Sequence, residues 1–158
     1  MVIYYSWKGR TKAYARELAA LRKDTVFELI EKKKRSGILG FISGGFQSIT
    51  KKESPVEKMP DLNNINEIYI CSPVWASGIT PAVRYFINHA ALAGITVNFI
   101  LTCANILKHE DYRKSALEAL DGVQAKPGAV YVFAGAAGGE TDTETVRSHI
   151  NKVILGVE

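Results

Sequence analysis

Six residues near the amino terminus, Ser6-Trp7-Lys8-Gly9-Arg10-Thr11, combine hydroxyls at both ends, a glycine that permits a tight turn, and two cations. They lie between an apolar run and a helical pattern that opens near Thr11. Backbone N–H groups at a helix start have no intrahelical acceptor, and the helix dipole places partial positive charge behind them, so this arrangement can cradle a phosphate. The same residues also suit an ordinary capped helix start. Competing chemistries find no support. His89, His109 and His149 fall in separate predicted helices or helix starts with no metal-ligand spacing, and are read as surface residues. Neither a Gly-x-Ser-x-Gly elbow nor a phosphate loop ending in Gly-Lys-Ser/Thr occurs, which removes hydrolase and nucleotidase readings. No catalytic side chain and no metal site is assigned. Cys71 and Cys103 read as small buried hydrophobes, since no cation or helix start beside them would lower a thiol pKa.

The elements that must position the first loop alternate along the chain. Runs rich in β-branched and aromatic residues predict strands at Val2 to Tyr5, Thr25 to Ile30, Ile68 to Ser72, Thr96 to Thr102 and Ala129 to Ala134. Apolar residues at three- and four-residue steps predict helices through Ala15, Leu18 and Ala19, through Val83, Phe86, Ile87, Ala90 and Ala91, through Tyr112, Ala116, Ala119 and Leu120, and through Val146, Ile150, Val153 and Ile154. Parallel strands joined by helices require right-handed crossovers, so the units build a doubly wound, three-layer α/β sandwich.

With 158 residues and an apolar fraction of 47%, the chain has enough material for one buried core, and one domain spanning 1–158 is expected. No run approaches the about 20 apolar residues of a membrane span, and no secretory leader precedes Val2, so a cytoplasmic protein is expected. Charge is uneven: residues 1–58 carry 13 Lys and Arg against 6 Asp and Glu, whereas the remainder is net negative. No aromatic-interleaved basic motif accompanies this excess, and nucleic acid is not expected as a partner. One segment breaks the alternation. Where a helix should join the second and third strands, residues 31–58 open on Lys32-Lys33-Lys34-Arg35 and close on Lys51-Lys52 around a glycine-rich apolar stretch. Ile38, Ile42, Phe46 and Ile49 give it one helical stripe, so it reads as an insertion or a replaced second helix.

The loop Ser6 to Thr11 resembles the phosphate loop of flavodoxins, Ser/Thr-x-Thr-Gly-x-Thr after the first strand, with Ser6, Gly9 and Thr11 matching and Lys8 in place of the middle threonine. Ser72 to Pro81 is similar to the flavin-side loop of the same family, Pro-x-Trp/Tyr-x-x-x-x-Pro-x-x-x-Arg, matched by Pro73, Trp75 and Pro81 ahead of Val83-Arg84-Tyr85-Phe86. The resemblance implies a five-stranded parallel sheet of order 2-1-3-4-5 and FMN as cofactor. It places the site beyond the carboxyl ends of the strands, where the order reverses, flavodoxin being an established instance of that rule. Cofactor contacts are implied at Ser6, Trp7, Lys8, Gly9, Arg10 and Thr11 in the first loop. They are also implied at Pro73, Val74, Trp75, Ala76, Ser77 and Gly78 in the second, and at Thr102, Cys103 and Asn105 in the third. Trp75 has two readings, a flat face for the flavin ring or a hydrophobic plug over the strand ends, and Trp7 is equally open between flanking the flavin and covering the first helix. Gly135 to Gly139 forms another glycine-rich mouth loop.

The resemblance implies electron transfer through FMN, as a carrier between redox partner proteins or as a small flavin oxidoreductase. A second reading is a homodimeric, NAD(P)H-dependent quinone reductase with a small acceptor. The third is a flavodoxin-fold binding module without cofactor, because fold alone does not settle function.

Overall fold

The structure is a computed structural model that describes residues 1–33, 52–76, 78–104, 106–135 and 142–157. Its apolar runs form β1 (Val2–Tyr4), β2 (Val26–Glu28), β3 (Glu67–Pro73), β4 (Thr96–Cys103) and β5 (Lys126–Ala134). The helical periodicities form α1 (Arg10–Arg22), α2 (Pro81–His89), α3 (His109–Glu118) and α4 (Thr143–Leu155). The strands make one sheet of order β2-β1-β3-β4-β5, with every pairing parallel. β1 is the pivot: Val2 pairs with Val26 on one side and Tyr69 on the other. The order therefore reverses between β1 and β3, as the flavodoxin resemblance requires.

Side chains alternate across the pleat, and helices cover both faces, so the central strands read as continuous apolar runs. On one face Ile3, Ile68, Ile70, Phe99 and Leu101 pack with Val83, Phe86 and Ile87 of α2 and Ala116 of α3. On the other, Val2, Tyr69, Cys71, Ile100 and Phe133 pack with Tyr14, Ala15 and Leu18 of α1 and Val146 and Ile150 of α4. Phe86 and Phe99 are wholly buried, and each such ring stabilises the fold by about 1.5–3 kcal/mol relative to exposure.

Three strands differ from the expected bounds by one residue at an end, and β2 and β5 by more, each for a local reason. β2 ends at Glu28 instead of Ile30 because the chain leaves β1 there: Leu29 N still donates to Tyr4 O, but Ile30 to Lys32 turn to residues 55–57, with Glu57 N donating to Ile30 O, Lys32 N to Pro55 O, and Glu31 bridging Val56. The two ends of the basic segment are thus held together, while residues 34–51, including the stripe Ile38, Ile42, Phe46 and Ile49, lie outside the described residues. β5 begins at Lys126 instead of Ala129, because Pro127-Gly128 is strand and not turn. A bulge in β5 sets Gly128 and Ala129 opposite Asn98 of β4, whose Oδ1 accepts from Ala129 N at 2.9 Å. A Cβ on Gly128 would stand 2.3 Å from that oxygen, so the strand needs glycine here.

Candidate functional site

The three loops read as a site leave β1, β3 and β4 at the same edge of the sheet, and hydrogen bonds tie them together. Tyr5 N donates to Cys71 O at 3.1 Å, extending the β1–β3 ladder to the lip of the crevice. Val74 N donates to Thr102 O at 2.9 Å, joining the second loop to the third. The hydroxyls of Thr11 and Thr102 share a hydrogen bond of 2.8 Å, joining the first loop to the third. Trp7 and Trp75 meet edge to face at 5.7 Å, joining the first to the second. Ser77 and Asn105 lie outside the described residues, as do residues 136–141 of the glycine-rich mouth.

Gly9 is the N-cap of α1 and adopts the left-handed conformation, φ 88°, with its N–H donating to Ser6 Oγ at 3.1 Å. No side chain caps the first turn of α1, and no acidic residue stands in it. The start of α4 differs, since Asp142 accepts from Thr145 N. A helix start of this kind, basic and without a carboxylate of its own, is complementary to an anion. Lys8 is exposed and Arg10 half-buried beside it. Thr11 uses its hydroxyl on Thr102, both residues being buried, so the side chain anticipated at the phosphate serves as a tie between loops.

The second loop closes on itself. Trp75 N donates to Gly78 O and Gly78 N to Trp75 O, with Ala76 held left-handed at φ 46°. The amides of Val74, Trp75 and Gly78 are therefore satisfied within the protein. Gly78 lies against α3, where an added Cβ would be 3.1 Å from Ser115 Oγ. Trp75 is 5% exposed, edge-on to both Tyr5 and Trp7, which is the plug arrangement of the two anticipated for it. Trp7 is only partly covered, and its packing against the same cluster leaves some of its surface open. Pro73 ends β3, and beneath the loop Ser72 Oγ accepts from Thr80 N at 3.4 Å. Arg84, the arginine of the second motif, is buried in α2. Burial holds its pKa below the usual range, against the pull of Glu53 and Glu118.

Cys103 and Cys71 are buried free thiols, as expected of small hydrophobes. Burial raises the Cys71 pKa, and Cys103 Sγ lies 3.7 Å from Phe133 O. Two contacts escaped the sequence reading. Tyr5 OH donates to the buried Glu31 at 3.0 Å, tying the root of the basic segment to the lip of the crevice, and the adjacency of Tyr5 to Ser6 was the available signal. The expectation that all three histidines lie on the surface fails at His149. Its ring stacks on Phe133 at 4.5 Å with planes 6° apart, and its Nδ1 is 2.7 Å from Tyr14 OH. Burial and nearby Lys152 lower the His149 pKa, while burial pushes Tyr14 up to about 12. Period alone could not tell which face of α4 would meet Phe133. His89 and His109 are exposed as anticipated, the former paired with Glu53 at 2.8 Å.

Grooves of about 780 and 430 Å³ lie away from this edge, one between α3 and β5 near Arg113 and Gly122, the other near Met59 and Ala93. The topological crevice is the better-founded site, because three independent loops converge on it. Among the described residues no helix is long and apolar enough to cross a membrane.

The sheet order, the paired faces and the reversal between β1 and β3 define a flavodoxin-like α/β fold. Comparison with solved structures agrees. A candidate flavoprotein from Bacteroides uniformis ATCC 8492 matches with a TM-score of 0.74 and 23% identity, over 96% of this chain and 97% of its own. A flavoprotein from Lactobacillus acidophilus NCFM, solved in complex with FMN, matches with a TM-score of 0.70 and 21% identity, over 83% and 90%. The flavodoxin of Streptococcus pneumonia TIGR4 matches with a TM-score of 0.53 and 14% identity, over 99% and 97%. These identities establish a shared fold. No family model and no curated protein matches the sequence.

Proposed function

We propose that this chain is an FMN-binding electron-transfer flavoprotein that exchanges electrons with a redox partner in the cytoplasm. The observation that carries the reading is the union of the three loops at the order-reversal crevice, beside a helix start that is basic and uncapped by any side chain. The fit to FMN follows group by group. A phosphate dianion matches the start of α1, with the Arg10 and Thr11 amides as donors, Ser6 and Gly9 shaping the turn through their own hydrogen bond, and Lys8 and Arg10 supplying charge. Thr11 contributes through its amide, because its hydroxyl is engaged by Thr102. Trp7 offers the accessible aromatic face and Trp75 forms the floor beneath it. The ring's polar edge is met at Ala76, since the amides of Val74, Trp75 and Gly78 are internally bonded. Thr102 and Cys103, at the end of β4, border the ribityl side. The FMN-bound Lactobacillus protein of the same fold supports the choice of cofactor.

Bound FMN would supply one-electron or hydride exchange at its ring; the protein's own residues bind, orient and shield it. No side chain needs to act as acid or base. The visible spectrum of the purified protein tests this reading. A yellow protein with flavin absorbance is expected, and a colourless protein that takes up no added FMN would instead support the cofactor-free binding module. Rapid mixing with NADPH then separates the carrier, reduced slowly, from the dimeric reductase, reduced fast and completely.

A further inference from the structure

We propose that Trp7, Trp75 and Tyr5 form a one-electron relay that carries an oxidising equivalent inward from the rim of the crevice, with Glu31 accepting the proton that Tyr5 releases. The rings stand in series. Trp7 meets Trp75 at 5.7 Å with planes 78° apart, and Trp75 meets Tyr5 at 5.7 Å with planes 88° apart. Exposure falls along the series: Trp7 is partly open, whereas Trp75 is 5% exposed and Tyr5 6%. The two inner rings are fixed by their backbones, Trp75 through its paired bonds with Gly78 and Tyr5 through Cys71 O. At the inner end, Tyr5 OH donates to Glu31 Oε2 at 3.0 Å, and Glu31 is itself buried.

Indole and phenol are the most readily oxidised aromatic side chains, and electron tunnelling weakens steeply with distance, so rings in contact conduct where one long step does not. Packing alone accounts for edge-to-face aromatics. It does not call for a buried carboxylate on the last phenol, and that group has a chemical use. A phenol that loses an electron becomes a strong acid, and a carboxylate within hydrogen-bond reach takes its proton as a general base. A radical oxidant at the crevice removes one electron from Trp7, which is restored by an electron from Trp75, and Trp75 by one from Tyr5. The Tyr5 proton passes to Glu31, leaving two intact indoles, a neutral phenoxyl radical and a protonated carboxyl. A proton that an indole loses to water while oxidised returns to it on reduction. The relay thus moves the damage away from Trp7, the exposed wall of the crevice. Other phenols stand out of line: Tyr4, Tyr14, Tyr69 and Tyr131 pack on the opposite face of the sheet, and Tyr85 stacks on His89.

The relay needs no flavin, and the flavin-free chain tests it, so its failure would leave the cofactor reading untouched. Azidyl radicals generated by pulse radiolysis take one electron from tryptophan and become azide, and both tryptophans of the chain belong to the relay. Transient absorption should show the indolyl radical band decaying as the tyrosyl band rises, at a rate independent of protein concentration. Tyr5→Phe and Trp75→Phe should each abolish the tyrosyl band and leave the indolyl radical long-lived. Tyr4→Phe should change neither, although Tyr4 OH also meets a carboxylate, that of Glu28 at 2.7 Å. Glu31→Gln should slow the transfer about tenfold or more, because the amide cannot serve as the base. Circular dichroism identifies any variant that fails to fold, and heavy water, expected to slow the transfer, probes the proton step in the unaltered chain. An undiminished tyrosyl band in folded Tyr5→Phe, its loss in folded Tyr4→Phe, a rate proportional to protein concentration, or transfer unaffected by heavy water would overturn the proposal.

Discussion

Thr11 and Thr102 lie far apart in the sequence, and the 2.8 Å bond between their hydroxyls fixes the first and third loops as one unit. Both are buried, so removing one hydroxyl strands the other without a partner. Thr11→Val and Thr102→Val should each lower stability by about 1–3 kcal/mol, read from urea unfolding, with the double variant losing less than the sum of the two. Lys8 works through charge alone on this account. Lys8→Ala should weaken FMN binding about two- to fivefold at low salt and have little effect at high salt, measured by flavin fluorescence titration. Equal losses at both would show that the side chain does not act electrostatically. At this scale the sequence marked Ser6, Gly9 and the tryptophans as candidates by type and spacing. It could not tell that Thr11 would spend its hydroxyl on Thr102, because that pairing exists only once β1 and β4 share a sheet.

Elements were legible where their periodicity was long and obscure where a single side chain overrode local chemistry. The stretch Lys126-Pro127-Gly128 looks like turn, yet it is the start of β5, because Asn98 from the neighbouring strand fills the space a side chain would take. Gly128→Ala drives a Cβ against Asn98 and should destabilise the fold by about 1–3 kcal/mol in denaturant melts. The α4 face carries a pH dependence of its own. His149 has a lowered pKa in the folded state, caused first by burial and then by Lys152, so the folded protein resists a proton that the unfolded chain accepts. Its contribution is fully present above the ordinary histidine value of about 6.5 and is lost as pH falls through the folded pKa. Thermal melts between neutral and mildly acid pH should show His149→Gln losing less stability on acidification than the parent. A parallel decline in both would mean that His149 is not the group responsible.

Across the whole molecule, alternating strands and helices, both faces apolar, sufficed to anticipate a doubly wound sheet, while its strand order came from the resemblance of two loops to a known family. Three crossovers then place the loops after β1, β3 and β4 at one edge without further instruction, which is why residues dispersed along the chain could be expected at one place before the geometry was known. The site's interior was less legible. Trp75 could be a floor or a face on sequence grounds, and only the closeness of Tyr5 and Trp7 to it distinguishes the two.

Equilibrium titration of the flavin-free chain with FMN and with riboflavin, followed by flavin fluorescence, probes the convergence of cradle and aromatic wall most directly. Saturable quenching by FMN at one per chain is predicted, with riboflavin at least about tenfold weaker for want of the phosphate. Unquenched FMN, or equal affinity for the two flavins, would contradict the assignment of a phosphate cradle at the start of α1.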